Sequence, residues 1–408
     1  MVGLLDQEVT GRLRNGSVQL DEPGLRAFGT EAMDSGRLEI VDEVVESKYH
    51  LICVPTPFDR ETKASDLTYV EGAAGAIAPV LRPGDTVILE STVPPRTTVD
   101  VVRPILEETG LAANDEFSLA YCPETVLPGD VITELRQNTR IVGGIGEAST
   151  TAAVRLYDTF VEGDVRTTTD PTTAEFVKLI QNTYRDTNIA LANEVSKLAR
   201  DYDVDSRDAI DLANEHPRVD LLQPGPGVGG HCLPVDPWFL GHCSENLDLI
   251  RTARRVNDSM PGHVADLLSE ALGSLNGNAI ALLGVAYKGN VGDTRQSPAL
   301  DLAAELQTRA TKPPTGTTDG GITIESEPEG VEVLLHDPFV DDQVLNTVAL
   351  DQAVAGADAV VVTTDHDEFA ELDPGRVREQ MNGSLVVDTK ALLDPDEWRS
   401  NGFTFLRV

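Results

Sequence analysis

Two stretches of this chain alternate short apolar, β-branched runs with helical patterns, and a long helical pattern without a breaker lies between them. In the first stretch His50–Val54, Thr86–Glu90, Phe117–Tyr121 and Arg140–Gly143 read as buried strands, while Leu67–Leu81 and Thr97–Glu108 carry apolar residues at helical spacing. In the second, Ala279–Val285, Val331–His336, Ala359–Thr363 and Ser384–Asp388 read as strands and Pro298–Gln307 as a helix, in a region that starts near Asn257. Strand–helix alternation of this kind buries both faces of a parallel sheet under its crossover helices. Between the two, Asp170 suits an N-cap and Pro171 the first helical position, and the pattern runs to about Arg200; Ser206–Asn214 follows as a shorter helix. His216–Asp236 is rich in Pro and Gly and reads as loop, and Lys312–Glu329 as a surface loop or flap. The expected fold class is therefore α/β: two Rossmann-like parallel-sheet domains joined by a long central helix, with boundaries at 1–168, 169–265 and 266–408.

The charge balance narrows the partners. Among 408 residues, Asp plus Glu number 68 and Lys plus Arg 32, a formal net charge of −36. So acidic a surface repels nucleic acid and anionic membranes, and no local basic patch offsets it. High acid content with few lysines suits a cytosol of molar salt, so a halophilic protein is expected. Four cysteines are too few for a disulfide scaffold, the N-terminus has no basic region of a signal peptide, and the longest apolar runs fall far short of a membrane span. A cytoplasmic location is expected.

A dinucleotide unit opens with a strand, a Gly-x-Gly-x-x-Gly turn, a helix and, about 20 residues on, an acidic residue. Val2–Leu5 fits the second strand of such a unit with Asp6 near its end, so the first β-α unit is expected to be missing from the chain as given. Gly225–Gly230 matches the glycine pattern but follows a proline instead of a strand. It leads into a segment with two prolines, and reads as a tight loop whose glycines let backbone approach something closely. Gly143-Gly-Ile-Gly146 reads as an ordinary strand-to-helix turn.

Several residues could carry chemistry. Cys232 lies just after that glycine loop, with His231 and Asp236 beside it; the setting suits a reachable, activated thiol as well as a small buried hydrophobe. His231-Cys232 and His242-Cys243 suggest zinc ligands, but adjacent residues seldom aim at one ion, and no metal is expected. On the long helix Lys178, Asn182, Arg185 and Asn193 lie near one face. Apolar Phe176, Leu179, Ile180, Ile189 and Leu191 surround that stripe, so the helix is expected to be buried and its Lys and Asn to need partners, a bound anion among them. Val54-Pro-Thr-Pro57, Ser91-Thr-Val-Pro94 and Cys122-Pro-Glu124 each follow a strand. Three such turns on one sheet edge suggest a crevice.

Those turns, with Lys178-x3-Asn182, Gly229-Gly-x-Cys232-x3-Asp236 and Ala286-Tyr-Lys-Gly-x-Val-x-Asp-Thr-Arg295, resemble the nucleotide-sugar 6-dehydrogenases, the UDP-glucose/GDP-mannose dehydrogenase family, through nearly the whole chain. His216-Pro-Arg-Val219, Pro224–Cys232 and Asp236-Pro-Trp-Phe239 most resemble the members that act on UDP-N-acetyl-D-mannosamine; UDP-N-acetylglucosamine and UDP-glucose remain alternatives. The resemblance implies an NAD-binding domain, a central helical and dimerisation region, a UDP-sugar-binding domain, a homodimer or larger homo-oligomer, and a role in making polysaccharide precursors.

It also implies a four-electron oxidation at C6 with two NAD, in which Cys232 holds the aldehyde as a thiohemiacetal and then a thioester that water releases. Lys178 and Asn182 match groups that stabilise the developing oxyanion, and Asp236, Glu124 and Thr92 match groups that handle protons and water, with the hydrolytic base left open between carboxylates. On the cofactor side the resemblance places Asp6, Pro55, Thr56, Ser91, Thr92 and Arg295. On the sugar-nucleotide side it places Glu124, Lys178, Asn182, Arg185, Arg218, Gly227, Gly229, Lys288 and Lys390, the last standing where many relatives carry Arg. Relatives begin with the Gly-rich turn absent here, a deficit of about 30 residues by the usual layout of the unit, so a catalytically silent UDP-sugar-binding subunit is the rival expectation.

Overall fold

The computed structural model of the chain describes residues 2–3, 7–14, 24–126, 129–311, 330–340 and 344–408. It divides into two compact units, one of residues 1–183 with 235–246 and the other of residues 184–234 with 247–408. Leu4, Leu5, Asp6 and the expected flap at Lys312–Glu329 lie outside the described residues.

In the first unit the strands are β1 (Val2–Gly3), β2 (Ile40–Val41), β3 (Tyr49–Ile52), β4 (Phe58–Asp59), β5 (Ala64–Ser65), β6 (Thr86–Leu89), β7 (Ser118–Tyr121), β8 (Arg140–Gly144) and β9 (Val165–Thr168). Five of them form one sheet in the order β3-β6-β7-β8-β9, while β1 pairs in parallel with β2 in a separate two-stranded sheet. Alternate residues sort to the two faces, as a pleat requires. Val87, Leu89, Leu119 and Tyr121 pack with Val70, Ala74 and Val102 on one side; Ile88, Ala120, Cys122 and Val142 pack with Ala153 and Tyr157 on the other. The sheet departs from the all-parallel expectation at β7 and β8, which pair antiparallel through Ala120–Gly144 and Tyr121–Gly143. The chain leaving β7 turns through helix Val131–Gln137 and re-enters at the edge it left, so no crossover is made there.

The second unit is built on β10 (Ala279–Leu283), β11 (Glu332–His336), β12 (Ala359–Val362), β13 (Leu385–Asp388) and β14 (Thr404–Arg407), all parallel, in the order β11-β10-β12-β13-β14. Ile280, Leu282, Val361 and Val387 face helices Met260–Leu272 and Pro298–Thr311, and Ala281, Leu283, Val360 and Val386 face Phe369, Trp398 and Phe405. Every residue of β12 and β13 is buried, which is why β12 reads as an unbroken apolar run and β13 as one up to Asp388. The strand order reverses between β10 and β12, a switch point that opens a crevice at the carboxyl ends of the strands.

The long helix runs Pro171–Asp201. The expectation that it is buried almost all round is corrected: Phe176, Ile180, Tyr184, Leu191 and Leu198 are all exposed in this single chain. A helix that carries apolar residues on every side covers only the sides its own chain reaches. Among the described residues no helix is long and apolar enough to cross a membrane.

Candidate active site

In the first unit a group of polar residues gathers where the long helix meets helix Asp236–Leu240. Lys178 and Asn182 are one turn apart and stack on one face. Asn182 Nδ2 donates to Asp236 Oδ2 at 2.6 Å, and Lys178 and Asp236 are both buried. Asp236 sits in the first turn of its short helix with Pro237 behind it, and Val235, Phe239 and Leu179 seal it in apolar contacts. Burial pushes the Asp236 carboxyl up to about 6, and the nearby charge of Glu124 adds to the rise; the Asn182 bond and the Lys178 ammonium pull the other way. Such a carboxyl changes hands with a proton near neutrality, as a general acid or base must.

Glu124 comes from the loop after β7. Its carboxylate accepts the Val126 N–H, and Arg140 holds the same loop by donating to the Pro123 carbonyl at 3.3 Å. Ser91 and Thr92 follow β6. The Ser91 hydroxyl accepts the Val54 N–H and donates to the Val54 carbonyl, both at 2.8 Å, and the Thr56 hydroxyl donates to the Thr92 carbonyl at 2.8 Å. The loops after β3 and β6 are thereby tied into one wall. Lys178, Asn182, Asp236 and Glu124 are thus brought together, with Pro55, Thr56, Ser91 and Thr92 on the adjoining sheet edge.

The remaining candidates belong to the second unit. Cys232 is exposed, at the end of the glycine loop. What the glycines approach is the Tyr287–Gln296 segment: a Cβ on Gly229 would meet the Gln296 carbonyl at 2.6 Å, and one on Gly230, at φ +83°, the Tyr287 ring at 2.8 Å. Gly230 N–H donates to the Arg295 carbonyl at 3.0 Å, while the Arg295 guanidinium donates two hydrogen bonds to the Asp293 carboxylate, from Nε at 2.9 Å and from a terminal nitrogen at 2.5 Å. The start of the loop is held by a buried network. Gly225 N–H donates to Asn193 Oδ1 at 2.9 Å, Asn193 to Asn257 Oδ1 at 2.9 Å, and Asn257 to Asp186 Oδ1 at 2.8 Å; Arg254 pairs with Asp186 at 2.5 Å. The expectation that a buried Asn on this helix needs partners holds for Asn193, whose partners are Asn257 and the Gly225 N–H within the chain.

Lys288 and Lys390 stand on loops at the carboxyl ends of β10 and β13, the switch-point edge, with Lys390 Nζ 3.2 Å from Asp365. His366 and Asp337, which sequence reasoning missed, brace this edge: Asp337 accepts the N–H groups of Val285 and Ala286, and His366 accepts the Asn290 N–H and lies 3.0 Å from Asp337. Arg185 and Arg218 are exposed.

This layout meets the comparisons with known proteins. The NAD binding domain of the UDP-glucose/GDP-mannose dehydrogenase family matches residues 4–161, its central domain residues 172–259 and its UDP binding domain residues 322–395. The chain belongs to this family. It is 38% identical to the UDP-N-acetyl-D-mannosamine dehydrogenase of Methanococcus aeolicus over 98% of this chain and 87% of that one. It is also 38% identical to the NDP-N-acetyl-D-galactosaminuronic acid dehydrogenase of Ralstonia solanacearum, over 95% and 89%. The solved UDP-D-ManNAc dehydrogenase of Pyrococcus horikoshii superposes with a TM-score of 0.88 at 38% identity, over 99% of this chain and 92% of that chain.

The family's cofactor can be set against the residues present. Val54–Pro57 and Ser91–Pro95 carry prolines and hydroxyls and no cation, chemistry that fits the nicotinamide riboside half of NAD, whose oxidised ring is itself cationic. A glycine-rich cradle for the pyrophosphate, joining a strand to a helix N-terminus, does not occur on this edge among the described residues.

Proposed function

We propose that this chain oxidises the C6 alcohol of UDP-N-acetyl-D-mannosamine to the uronate, removing four electrons with two NAD per sugar. The gathering of Lys178, Asn182 and Asp236 carries the reading: a buried cation and a buried carboxyl poised near neutrality lie together with a half-buried amide donor. The substrate class follows the names of the relatives at 38–40% identity.

NAD, when bound, supplies the hydride acceptor. The loops of Pro55, Thr56, Ser91 and Thr92 hold its nicotinamide side. Lys178 and Asn182 stabilise negative charge on the C6 oxygen, the work of an oxyanion hole. Cys232 is the nucleophile that retains the aldehyde between the two oxidations, and its exposure at the end of the glycine loop suits a thiol that must reach carbon. Asp236, ionised above about pH 6, takes the proton of the hydrolytic water, with Glu124 holding the loop beside it. Lys288 and Lys390 at the switch-point edge bind the UDP phosphates, and Gly227, Gly229, Arg185 and Arg218 line the sugar-nucleotide path. Arg295 serves the cofactor side. In this reading residues 1–168 hold NAD, 266–408 hold UDP, and 169–265 carry the nucleophile.

The chain works as a homo-oligomer in a salt-rich cytosol. Tyr184, Leu191 and Leu198 repeat every seven residues on the exposed side of the long helix, a stripe that a second copy would cover. Sedimentation at molar KCl tests this, with twice 43.8 kDa expected and the mass of one chain overturning it.

The substrate is tested by supplying NAD and one UDP-sugar at a time in molar KCl. Turnover of UDP-N-acetylmannosamine above its glucosamine, galactosamine and glucose counterparts is expected. Preference for any of the others reassigns the sugar, and UDP-sugar binding without NADH formation favours a silent subunit.

A further inference from the structure

Glu175 lies one turn before Lys178 on the long helix and is fully buried. Its carboxylate makes three contacts with one loop. Oε1 accepts the Thr98 N–H at 2.8 Å and the Thr98 hydroxyl at 2.6 Å, and Oε2 accepts the Arg96 N–H at 2.5 Å. That loop joins β6 to a wide π-type turn, Thr98–Val102, and carries Ser91 and Thr92. Arg96 is held at φ +77°, a left-handed conformation that is unfavourable for a non-glycine residue. The Arg96 side chain pairs with Asp100 and offers Glu175 no cation. A strained backbone, a non-standard helical turn and a buried carboxylate bonded only to backbone and a hydroxyl therefore coincide on one segment. Strain persists where surrounding structure over-determines it, and Glu175 is the group that does so here.

We propose that Glu175 is a positioning residue: its ionised carboxylate holds the Ser91–Thr98 loop, and with it the cofactor-side Thr92, in register with the helix that carries Lys178 and Asn182. This rests on the reading of Ser91 and Thr92 as part of the NAD wall. The chemistry is specific to the ionised form. Both carboxylate oxygens already face donors, so adding a proton to either sets an O–H against an N–H and releases a backbone bond. Charged and titratable groups facing it are Asp170 just before its helix, Tyr121 at the end of β7, and Arg96 on the loop, itself paired with Asp100 in the π-type turn. Burial dominates and pushes the Glu175 carboxyl up to about 7, with Asp170 adding to the rise and the Thr98 and Arg96 bonds opposing it. The hold is therefore complete at pH 8 and weakens as pH falls through 7.

Glu175→Gln separates charge from shape: its amide oxygen keeps Thr98, but its NH2 faces the Arg96 N–H. Hydrogen exchange of peptides spanning residues 91–102, corrected for intrinsic pH dependence, is measured with the NAD dissociation constant from pH 6 to 8.5. In the wild type, exchange at Arg96 and Thr98 should quicken and NAD affinity fall as pH drops through 7. In E175Q exchange should be about tenfold faster at pH 8, the size of one lost hydrogen bond, with NAD binding weaker and flat across the range. A folded E175Q with wild-type exchange and a wild-type pH profile would overturn the inference. Should E175Q not fold, Thr98→Val carries the test: several-fold faster exchange supports the inference and unchanged exchange overturns it. If the exchange contrast is present but no variant binds NAD at any pH, it is the functional reading that fails.

Discussion

Replacing Asp236 with Asn should make the protein more stable and less active, and the stability gain should depend on pH in a defined way. The carboxyl is raised from 3.8 to about 6 mainly by burial, even with Lys178 and Asn182 in place. At about 1.4 kcal/mol for each tenfold change in proton affinity, the folded state holds the ionised form less comfortably than the unfolded state by about 3 kcal/mol. The sign follows from proton binding. Between pH 4 and 6 the folded chain binds more protons at this site than the unfolded chain, so wild-type stability falls as pH rises through that window. Asn resembles the protonated acid and can accept the same Asn182 N–H, so it escapes the penalty. Urea unfolding of both proteins from pH 4 to 8 should give similar stability at pH 4, a gap opening to about 3 kcal/mol by pH 6–7, and a flat difference above. Glu175 titrates in both proteins and cancels. Activity should fall by about 10²–10⁴ with the loss of the general base. A gap independent of pH, or a wild type more stable than the variant at pH 8, would refute the reasoning that burial sets this carboxyl.

Other expectations follow from the same geometry. Lys178→Met should lower kcat by about 10²–10³ with little change in the UDP-sugar KM, because its charge acts on an oxyanion that forms only during the reaction; an equal loss in KM would place it in ground-state binding instead. Asn193→Ala strands the Gly225 N–H and one side of Asn257 in the core, so unfolding free energy should drop by about 1–3 kcal/mol; wild-type stability would mean the network is dispensable. With a net charge of −36, the thermal midpoint should fall steeply on dialysis from molar KCl to millimolar salt as screening is lost; an unchanged midpoint would end the halophilic expectation.

The most buried strands were legible because they carry their own signature: Ala279–Leu283 and Ala359–Val362 are apolar at every position, and their ends lie within three residues of where pattern alone puts them, whereas the partly exposed edge strands Val165–Thr168 and Thr404–Arg407 carry no such run and were not read. The antiparallel step from β7 to β8 was not, since local pattern says nothing about which way a neighbour runs. Helix Asp248–Asp258 escaped notice because its apolar stripe is narrow and three arginines interrupt it. The polar face of the long helix was legible, but its exposed apolar face was not: one chain's sequence does not say which of two apolar faces its own fold will cover. In the site, Lys178, Asn182 and Asp236 stood out as motifs. Glu175 did not, although it sits three residues before Lys178 on the same face. Its partners are backbone groups 77 and 79 residues away, which no local spacing records. Asp337 and His366 were hidden for the same reason.

The central claim is a two-step oxidation on one nucleophile, and the ratio of NADH to uronate tests it most directly. With purified protein, excess NAD and UDP-N-acetylmannosamine in molar KCl, the account predicts two NADH for each uronate, no free aldehyde captured by a hydrazine, and no uronate from Cys232→Ser. One NADH per sugar with the aldehyde released into solution, or an undiminished uronate yield from Cys232→Ser, would contradict it.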